Sequence, residues 1–404
     1  MKKIHVLFLS VFLIICSAIT TFFLTTLFQV ESGEKVVINQ TALEAYKSTV
    51  DKYKEIEDLK QYIKNNYYLD VDDETLIEGM KKGIFDILND PYSEFMTQEE
   101  FKNYMESSSG EYPGIGIYLA PNSDNEIEIV SPIEDTPADR AGLLAKDLIV
   151  GVNGDPVNAD VMDDAIKRIK GEPGTPVTLT IFRPSKNEKF DVEIIREWID
   201  IKVVKSEMLS DSVGYLRLTM FDENSAAEFE RNLNELIKAG AKGVVLDLRQ
   251  NPGGYLSQCV EIADMLLGKA LIVYTESRSG NEEKFFSDAQ KYDVELVVLV
   301  NKGSASASEI LAGALKDHQM ATLVGTTTFG KGVVQIVKPY NDNTGFKLTT
   351  SQYFTPNGIN IHGIGIEPDV IVEMDERYYE LENPTKEDDN QLQKAIEIIL
   401  EKLK

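Results

Sequence analysis

Cysteine is almost missing from this chain: Cys16 and Cys259 are the only two among 404 residues. Two thiols cannot build a disulfide framework or a thiolate metal cluster. Cys16 lies in an apolar leader, and Cys259 in a helical pattern where a buried thiol acts as a small hydrophobe. Histidine is nearly as scarce, with His5, His318 and His362 alone. No His-x-x-x-His or Glu-x-x-His pair occurs, which argues against a zinc protease, and no metal site is expected. His318 is expected to end a helix and meet its last carbonyls. His362 sits in a glycine-rich loop, and without a Gly-x-Ser-x-Gly elbow a Ser-His-Asp triad ranks low. Positive charge is also in deficit: 41 Lys and Arg against 67 Asp and Glu give a net charge of -26. Nucleic acid is therefore excluded as a partner, because phosphate binding needs basic surface. The 43% hydrophobic content is ordinary for a globular protein, and the length allows two or three domains.

What the chain does have begins with an uncharged stretch from Val6 to Phe28, preceded by Lys2 and Lys3 and followed by Glu31 and Glu34. It is long enough to span a bilayer, and the charge bias puts the N-terminus in the cytoplasm and the rest outside. The working expectation is an uncleaved, single-pass anchor in the cell membrane. The alternative is a signal peptide, although the stretch is long for one and no clean Ala-x-Ala site follows. Lipidation at Cys16 is disfavoured by the bulky Ile15 before it.

Beyond the leader the periodicity changes three times. Ala42, Leu43, Tyr46, Val50 and Tyr53, then Ile56, Leu59 and Ile63, recur at helical spacing, and Asp73 to Leu88 reads as another helix. From Gly110 to about Arg196 short strands alternate with turn residues around one helix, Val161 to Ile169. After that comes a repeated strand–turn–helix unit. Val213–Leu218 leads to a helix over Ser225–Ala239. Gly243–Arg249 leads through Asn251-Pro252-Gly253-Gly254 to a helix over Tyr255–Leu267. Glu295–Asn301 leads to a third helix, Glu309–His318. Such alternation implies an α/β architecture. Val333–Pro339 and Phe346–Phe354 flank a turn and read as a hairpin. Leu392, Ile396, Ile399, Leu400 and Leu403 form an amphipathic tail that packs either on a partner or on its own chain. The expected divisions are 1–30 (anchor), 31–105 (helical), 106–192, 193–376 and 377–404 (helical tail).

The chemistry gathers at two short pieces, Ser304-Ala305-Ser306-Ala307-Ser308-Glu309 and Phe329-Gly330-Lys331-Gly332. The first joins a buried strand to a helix. A serine there meets free N–H groups and the positive end of the helix dipole, which favour a nearby negative charge. Acyl transfer needs that environment for its nucleophile and oxyanion. Serines also cap helices, and Ser-x-x-Glu is a common capping box; capping is the role expected of Ser308. In the second piece, flanking glycines allow Lys331 to be drawn into a crowded site. A desolvated lysine loses basicity and can act as a neutral general base. Asp247 and Arg249 are expected to form a structural ion pair or cap.

Taken together with Gln335, these pieces resemble the carboxyl-terminal processing proteases, a family of Ser–Lys peptidases, from about Thr41 to Asp375. The resemblance implies Ser306 as nucleophile, Lys331 as general base and Gln335 as the residue orienting that lysine. It implies an oxyanion hole from Gly253, Gly254 and Ala307. Residues 106–192, through Ser131–Leu143 and Asp147–Gly154, resemble a PDZ domain of the bacterial protease type. Gly114-Ile115-Gly116-Ile117 would be its carboxylate-binding loop, where backbone N–H groups make a nest for a peptide C-terminus. The implied fold is multidomain α/β: a crotonase/Clp-protease-like core preceded by a PDZ domain, N-terminal helices and one transmembrane helix. The implied function is a PDZ-gated serine endopeptidase cutting extracytoplasmic proteins near or from their C-terminal tails, with no cofactor. Implied partners are protein or peptide substrates with free C-termini, a second copy through the N-terminal helices, and a regulatory protein. The rival readings are a catalytically silent PDZ scaffold and a core that binds acyl-CoA.

Overall fold

The computed structural model describes residues 2–31, 39–109, 111–133, 135–381 and 384–404; the side chains of 2–7, 9, 25–31, 107–109, 379 and 380 lie outside the description. The chain divides into two compact units, Met1–Lys81 and Lys82–Lys404.

The first unit is helical. Helix Lys2–Glu31 covers the leader, and Phe8, Phe12, Ile14, Phe22 and Phe23 along it are exposed. Among the described residues, no helix is long and apolar enough to cross a membrane, so the expected transmembrane helix is not found there. The expected stretch, Val6 to Phe28, runs past the described side chains at both ends, and the side chains of Lys2, Lys3, Glu31 and Glu34 lie outside them too. Helix Gln40–Asn66 starts where Asn39 Oδ1 accepts the Ala42 N–H. Its apolar stripe (Leu43, Tyr46, Val50, Tyr53, Ile56, Leu59) is exposed.

The second unit is built on a six-stranded sheet. In spatial order its strands are Val204–Met208, Val213–Leu218, Gly243–Asp247, Glu295–Val300, Ala321–Gly325 and Val370–Ile371. The first pair is antiparallel and the rest are parallel. Strand residues alternate between faces. Val244, Leu246, Leu296 and Val298 meet the side carrying helices Ser225–Lys238, Leu256–Leu266 and Ala307–Asp317. Val245, Val297 and Leu299 meet Leu392, Ala395 and Ile399 of helix Asn390–Lys402. Burial on both faces explains the unbroken apolar runs. It also settles the tail, which closes the second face of its own sheet.

A second sheet holds the hairpin Val333–Pro339 with Gly345–Phe354, the strands Leu271–Ser277 and Glu282–Phe286, and the short Glu94–Met96. Residues 117–195 form a third, antiparallel sheet around helix Met162–Ile169. The segments entering and leaving that module, Glu111–Gly114 and Glu197–Asp200, pair with each other.

Candidate active site

The strand Glu295–Val300 gives way to a turn at Asn301, and helix Ala307–Asp317 begins six residues after Asn301, with Ser306 as its N-cap. Ser306 has φ 55° and ψ -116°, a strained backbone for a residue with a Cβ. The turn is fixed by its neighbours. Ser304 Oγ donates to the Leu248 carbonyl at 2.8 Å and accepts the Asn301 N–H. Ala305 N–H donates to the Asn251 carbonyl at 3.0 Å. Ser308 Oγ donates to the same carbonyl at 2.9 Å. The expected cap at Ser308 is therefore corrected. Ser308 lies inside the first helical turn and ties it to the Asn251 loop, while Ser306 takes the cap position. Of the three serines, Ser304 and Ser308 are fully buried and committed to carbonyls, and Ser306 alone is partly accessible.

The Asn251-Pro252-Gly253-Gly254 turn lies against this serine. A Cβ on Gly253 would stand 2.8 Å from Ser306 Cβ and 2.9 Å from the Ala307 nitrogen, and one on Gly254 would stand 2.1 Å from the Phe221 carbonyl oxygen. Both glycines have positive φ, so both space and conformation exclude a side chain. The N–H of Gly253 already donates to Asn251 Oδ1 at 2.9 Å, which removes it from the expected oxyanion donors. It supplies room instead. The N–H groups of Gly254 and Ala307 have no acceptor among the described residues. Both residues line a cavity of about 570 Å³ with Ser306. Two unclaimed N–H groups, one just ahead of helix Leu256–Leu266 and one opening helix Ala307–Asp317, can donate to developing negative charge beside a strained serine.

Lys331 lines the same cavity. The flanking glycines let its loop pass close to a neighbouring one: a Cβ on Gly332 would stand 2.6 Å from the His362 backbone nitrogen. The ammonium lies 4.8 Å from the centre of the Tyr92 ring. Burial pushes the Lys331 pKa below its ordinary value and the positive charge of Lys347 adds to this, while Asp90 and Glu309 oppose it. No hydrogen bond joins the Ser306 and Lys331 side chains among the described residues. Gln335 also lines the cavity, but its amide donates to Thr349 Oγ1 at 3.3 Å rather than reaching Lys331.

Residues 212–372 match peptidase family S41, 113–194 a PDZ domain, and 13–100 the N-terminal domain of the activating protease CtpB. A carboxy-terminal-processing protease of Bartonella bacilliformis is 41% identical over 325 residues, 78% of this chain and 74% of that protein. The chain belongs to the carboxy-terminal processing proteases of family S41. The processing protease CtpA of Bacillus subtilis is 37% identical over 363 residues, 89% of this chain and 75% of that one. A solved S41 protein from Bacteroides fragilis shares the fold at a TM-score of 0.54 and 17% identity, over 80% of this chain and 90% of that one. The protein is thus a serine-type peptidase with a PDZ domain.

In this S41 protease several residues that sequence reasoning did not place beside Lys331 complete the site. Glu309 and Tyr353 are fully buried and touch both the Ser306 and Lys331 backbones. Tyr92 comes from the Asp90-Pro91-Tyr92-Ser93 turn, where Ser93 Oγ accepts the Thr349 N–H at 2.9 Å. Cys259 is fully buried as expected, with its thiol 3.2 Å from the Ala307 carbonyl oxygen, and burial pushes its pKa well up. Asp247 and Arg249 form the expected structural pair, which Asp389 and Gln391 extend. Among the described residues neither His318 nor His362 hydrogen-bonds Ser306. His318 Nε2 lies 2.7 Å from the Leu271 carbonyl oxygen on a neighbouring strand, rather than on its own helix end as expected.

The PDZ module of the protease carries a second cavity, of about 360 Å³, between its first strand and helix Met162–Ile169. Gly114, Ile115, Gly116 and Ile117 all line it, with Ile166 and Ile169 opposite. The Ile115 and Gly116 carbonyls are taken by Ala138 and Ile133 N–H groups, at 2.8 and 3.0 Å. Gly116 has φ 80°, and a Cβ there would stand 2.4 Å from Thr136.

Proposed function

We propose that this protease cuts polypeptides through a Ser306 acyl-enzyme, with Lys331 as general base. The observation that carries the proposal is one cavity wall shared by Ser306, Lys331 and the unclaimed N–H groups of Gly254 and Ala307. Neutral Lys331 takes the Ser306 hydroxyl proton as Oγ bonds to the scissile carbonyl carbon. The carbonyl oxygen becomes an oxyanion held by Gly254 and Ala307. The lysine ammonium returns the proton to the leaving amine, and water then hydrolyses the ester with Lys331 again as base. Gln335 is proposed to turn toward Lys331 once substrate fills the cavity. Met220, Leu256, Ile310 and Val334 give the wall beside Ser306 an apolar lining, which suits an apolar substrate side chain. The Gly114–Ile117 loop takes a free C-terminal carboxylate and gates the cut.

The test is cleavage of β-casein by the full-length chain beside Ser306→Ala and Lys331→Ala, with a saturating peptide ending in an apolar residue to occupy the PDZ groove. Each substitution is expected to lower kcat at least ~10³-fold. Cleavage that survives Ser306→Ala removes the nucleophile assignment.

The exposed apolar residues of helices Lys2–Glu31 and Gln40–Asn66 need cover. We assign the first to lipid, with the protease body extracytoplasmic, and the second to a partner copy. Flotation of the full-length chain with liposomes and sedimentation equilibrium of residues 39–404 check the two; a non-floating chain or a monomer at high concentration rejects the corresponding assignment. The domain limits 1–30, 31–105, 106–192, 193–376 and 377–404 belong to the same proposal.

A further inference from the structure

Glu309 is a fully buried carboxylate without a salt-bridge partner among the described residues. Its Oε2 accepts the N–H of Ser306 and the N–H of Lys331, each at 2.9 Å. Its Oε1 accepts the Gly330 N–H at 2.7 Å and the Thr328 hydroxyl at 2.5 Å. A capping-box glutamate ordinarily reaches only the N-cap N–H. This one reaches across to a loop from another strand.

Tyr353 completes the arrangement from the opposite side. Tyr353 is 1% exposed, and its single O–H donates to the Lys331 carbonyl, with the Ser306 carbonyl oxygen 3.2 Å from the same hydroxyl as the second arm of a three-centre bond. Its own N–H donates to the Gly332 carbonyl at 3.1 Å. The peptide groups of Ser306 and Lys331 are thus held by the same two side chains, one at the N–H groups and one at the carbonyls. An uncompensated buried carboxylate is costly for folding. Four neutral donors satisfy its oxygens, and two of these belong to the residues that must meet for chemistry.

We propose that Glu309 and Tyr353 are positioning residues that fix the separation of Ser306 and Lys331. The proposal rests on the Ser–Lys reading above. Glu309 stands outside the cavity lining; Tyr353 lines the cavity, but its hydroxyl is turned to the two backbone carbonyls. The two residues hold two loops from different strands in register, so that a proton can pass from Oγ to Nζ without either backbone moving.

The test uses the full-length chain with Glu309→Gln, Tyr353→Phe and the double variant. Each single change is nearly isosteric, and thermal unfolding verifies the fold. Steady-state kinetics on an unstructured peptide should show kcat falling on the order of 100-fold with KM unchanged, as misplaced reacting groups give. The double variant should be scarcely worse than the poorer single, because both hold one distance. The pH profile separates positioning from general damage. Charged groups facing the Lys331 ammonium are Lys347, Asp90 and Glu309, with Tyr92 stacked against it. Glu309→Gln removes one negative charge, so the low-pH limb of kcat/KM should move to lower pH. Tyr353→Phe changes no charge near neutral pH and should leave the limb in place. Parental kcat in either folded variant, or an unmoved limb in Glu309→Gln, overturns the clamp. Activity retained in Ser306→Ala or Lys331→Ala instead overturns the dyad beneath it.

Discussion

Three charged neighbours act on Lys331, and they pull in opposite directions. Burial is the largest influence and disfavours the ammonium; Lys347 works with it, and Asp90 and Glu309 against it. Lys347 is itself paired with Glu94 at 2.8 Å and lies over the Tyr104 ring. With Lys331 as the proposed base, only its neutral form accepts the serine proton, so activity should rise with pH through the Lys331 pKa. Lys347→Met removes a positive charge, lets that pKa climb and should move the low-pH limb of kcat/KM to higher pH. Raising the salt concentration should change the limb less in this variant than in the parent. A limb that stays put, or moves down, would show that Lys347 does not act on the base. At this scale glycines and motif spacing drew attention to Ser306, Lys331 and Gly254, which line one cavity, and to the close turn at Gly253. The sequence could not disclose Tyr353 or Tyr92. Tyr353 reads as one more strand residue and Tyr92 as part of a Pro-containing turn, and only the fold brings either beside the lysine. Ser308 misled for a related reason. A serine in the first turn of a helix looks like a cap until a distant carbonyl, here that of Asn251, claims its hydroxyl.

Helix Asn390–Lys402 was legible as a helix from its spacing, but its docking place was not. What fixes the place is a polar cluster at its start. Asp389 caps the helix through the Leu392 N–H at 2.9 Å and binds Arg249 Nη2 at 2.7 Å. Arg249 also holds Asp247, whose other partner is the Tyr215 hydroxyl at 2.7 Å. All four residues are nearly or fully buried, so removing one partner strands the others in a low-dielectric site. Asp389→Ala should therefore lower stability to urea by about 3–5 kcal/mol, with loss of the helix cap included. A loss below ~1 kcal/mol, the range of an exposed pair, would mean that the cluster is not holding the tail. The sheet beneath was more readable. Runs such as Leu296–Val300 require cover on both faces, and the side the three core helices leave bare is the side the tail fills.

Across the whole molecule, the PDZ groove and the catalytic cavity are separate spaces, and helix Gln98–Ser109 touches both. Asn103 and Glu106 line the groove and Tyr104 lines the cavity. Lys167 and Lys170 of the PDZ module pair with Glu99 and Glu106 of that helix, at 2.6 and 3.4 Å. A peptide with an apolar last residue and a free carboxylate should bind the protease and raise its cleavage rate, and the same peptide with an amidated end should do neither. Fluorescence polarisation and β-casein turnover measure the two effects, and equal responses to both peptides would discard the groove as a C-terminus reader. The order of modules was legible from changing periodicity. The route of the chain between them was not, because strand pairing across long sequence separations leaves no local mark.

The short strand Glu94–Met96 pairs with Gly345–Phe354, although the PDZ module lies between them in the chain. Tyr92 reaches Lys331 by the same detour, and Asp389 reaches Arg249 from beyond the other end. The part of this protein that performs the reaction is therefore not a segment that can be lifted out. A gene fragment trimmed to the S41-matched residues 212–372 omits the aromatic floor of the lysine, an edge of the second sheet and the lid over the first. Recombination that swaps such fragments between relatives has to carry both flanks or supply equivalents. On the ribosome the sheet that carries Ser306 keeps one face bare until helix Asn390–Lys402 has emerged, so the nascent chain carries no finished protease before then.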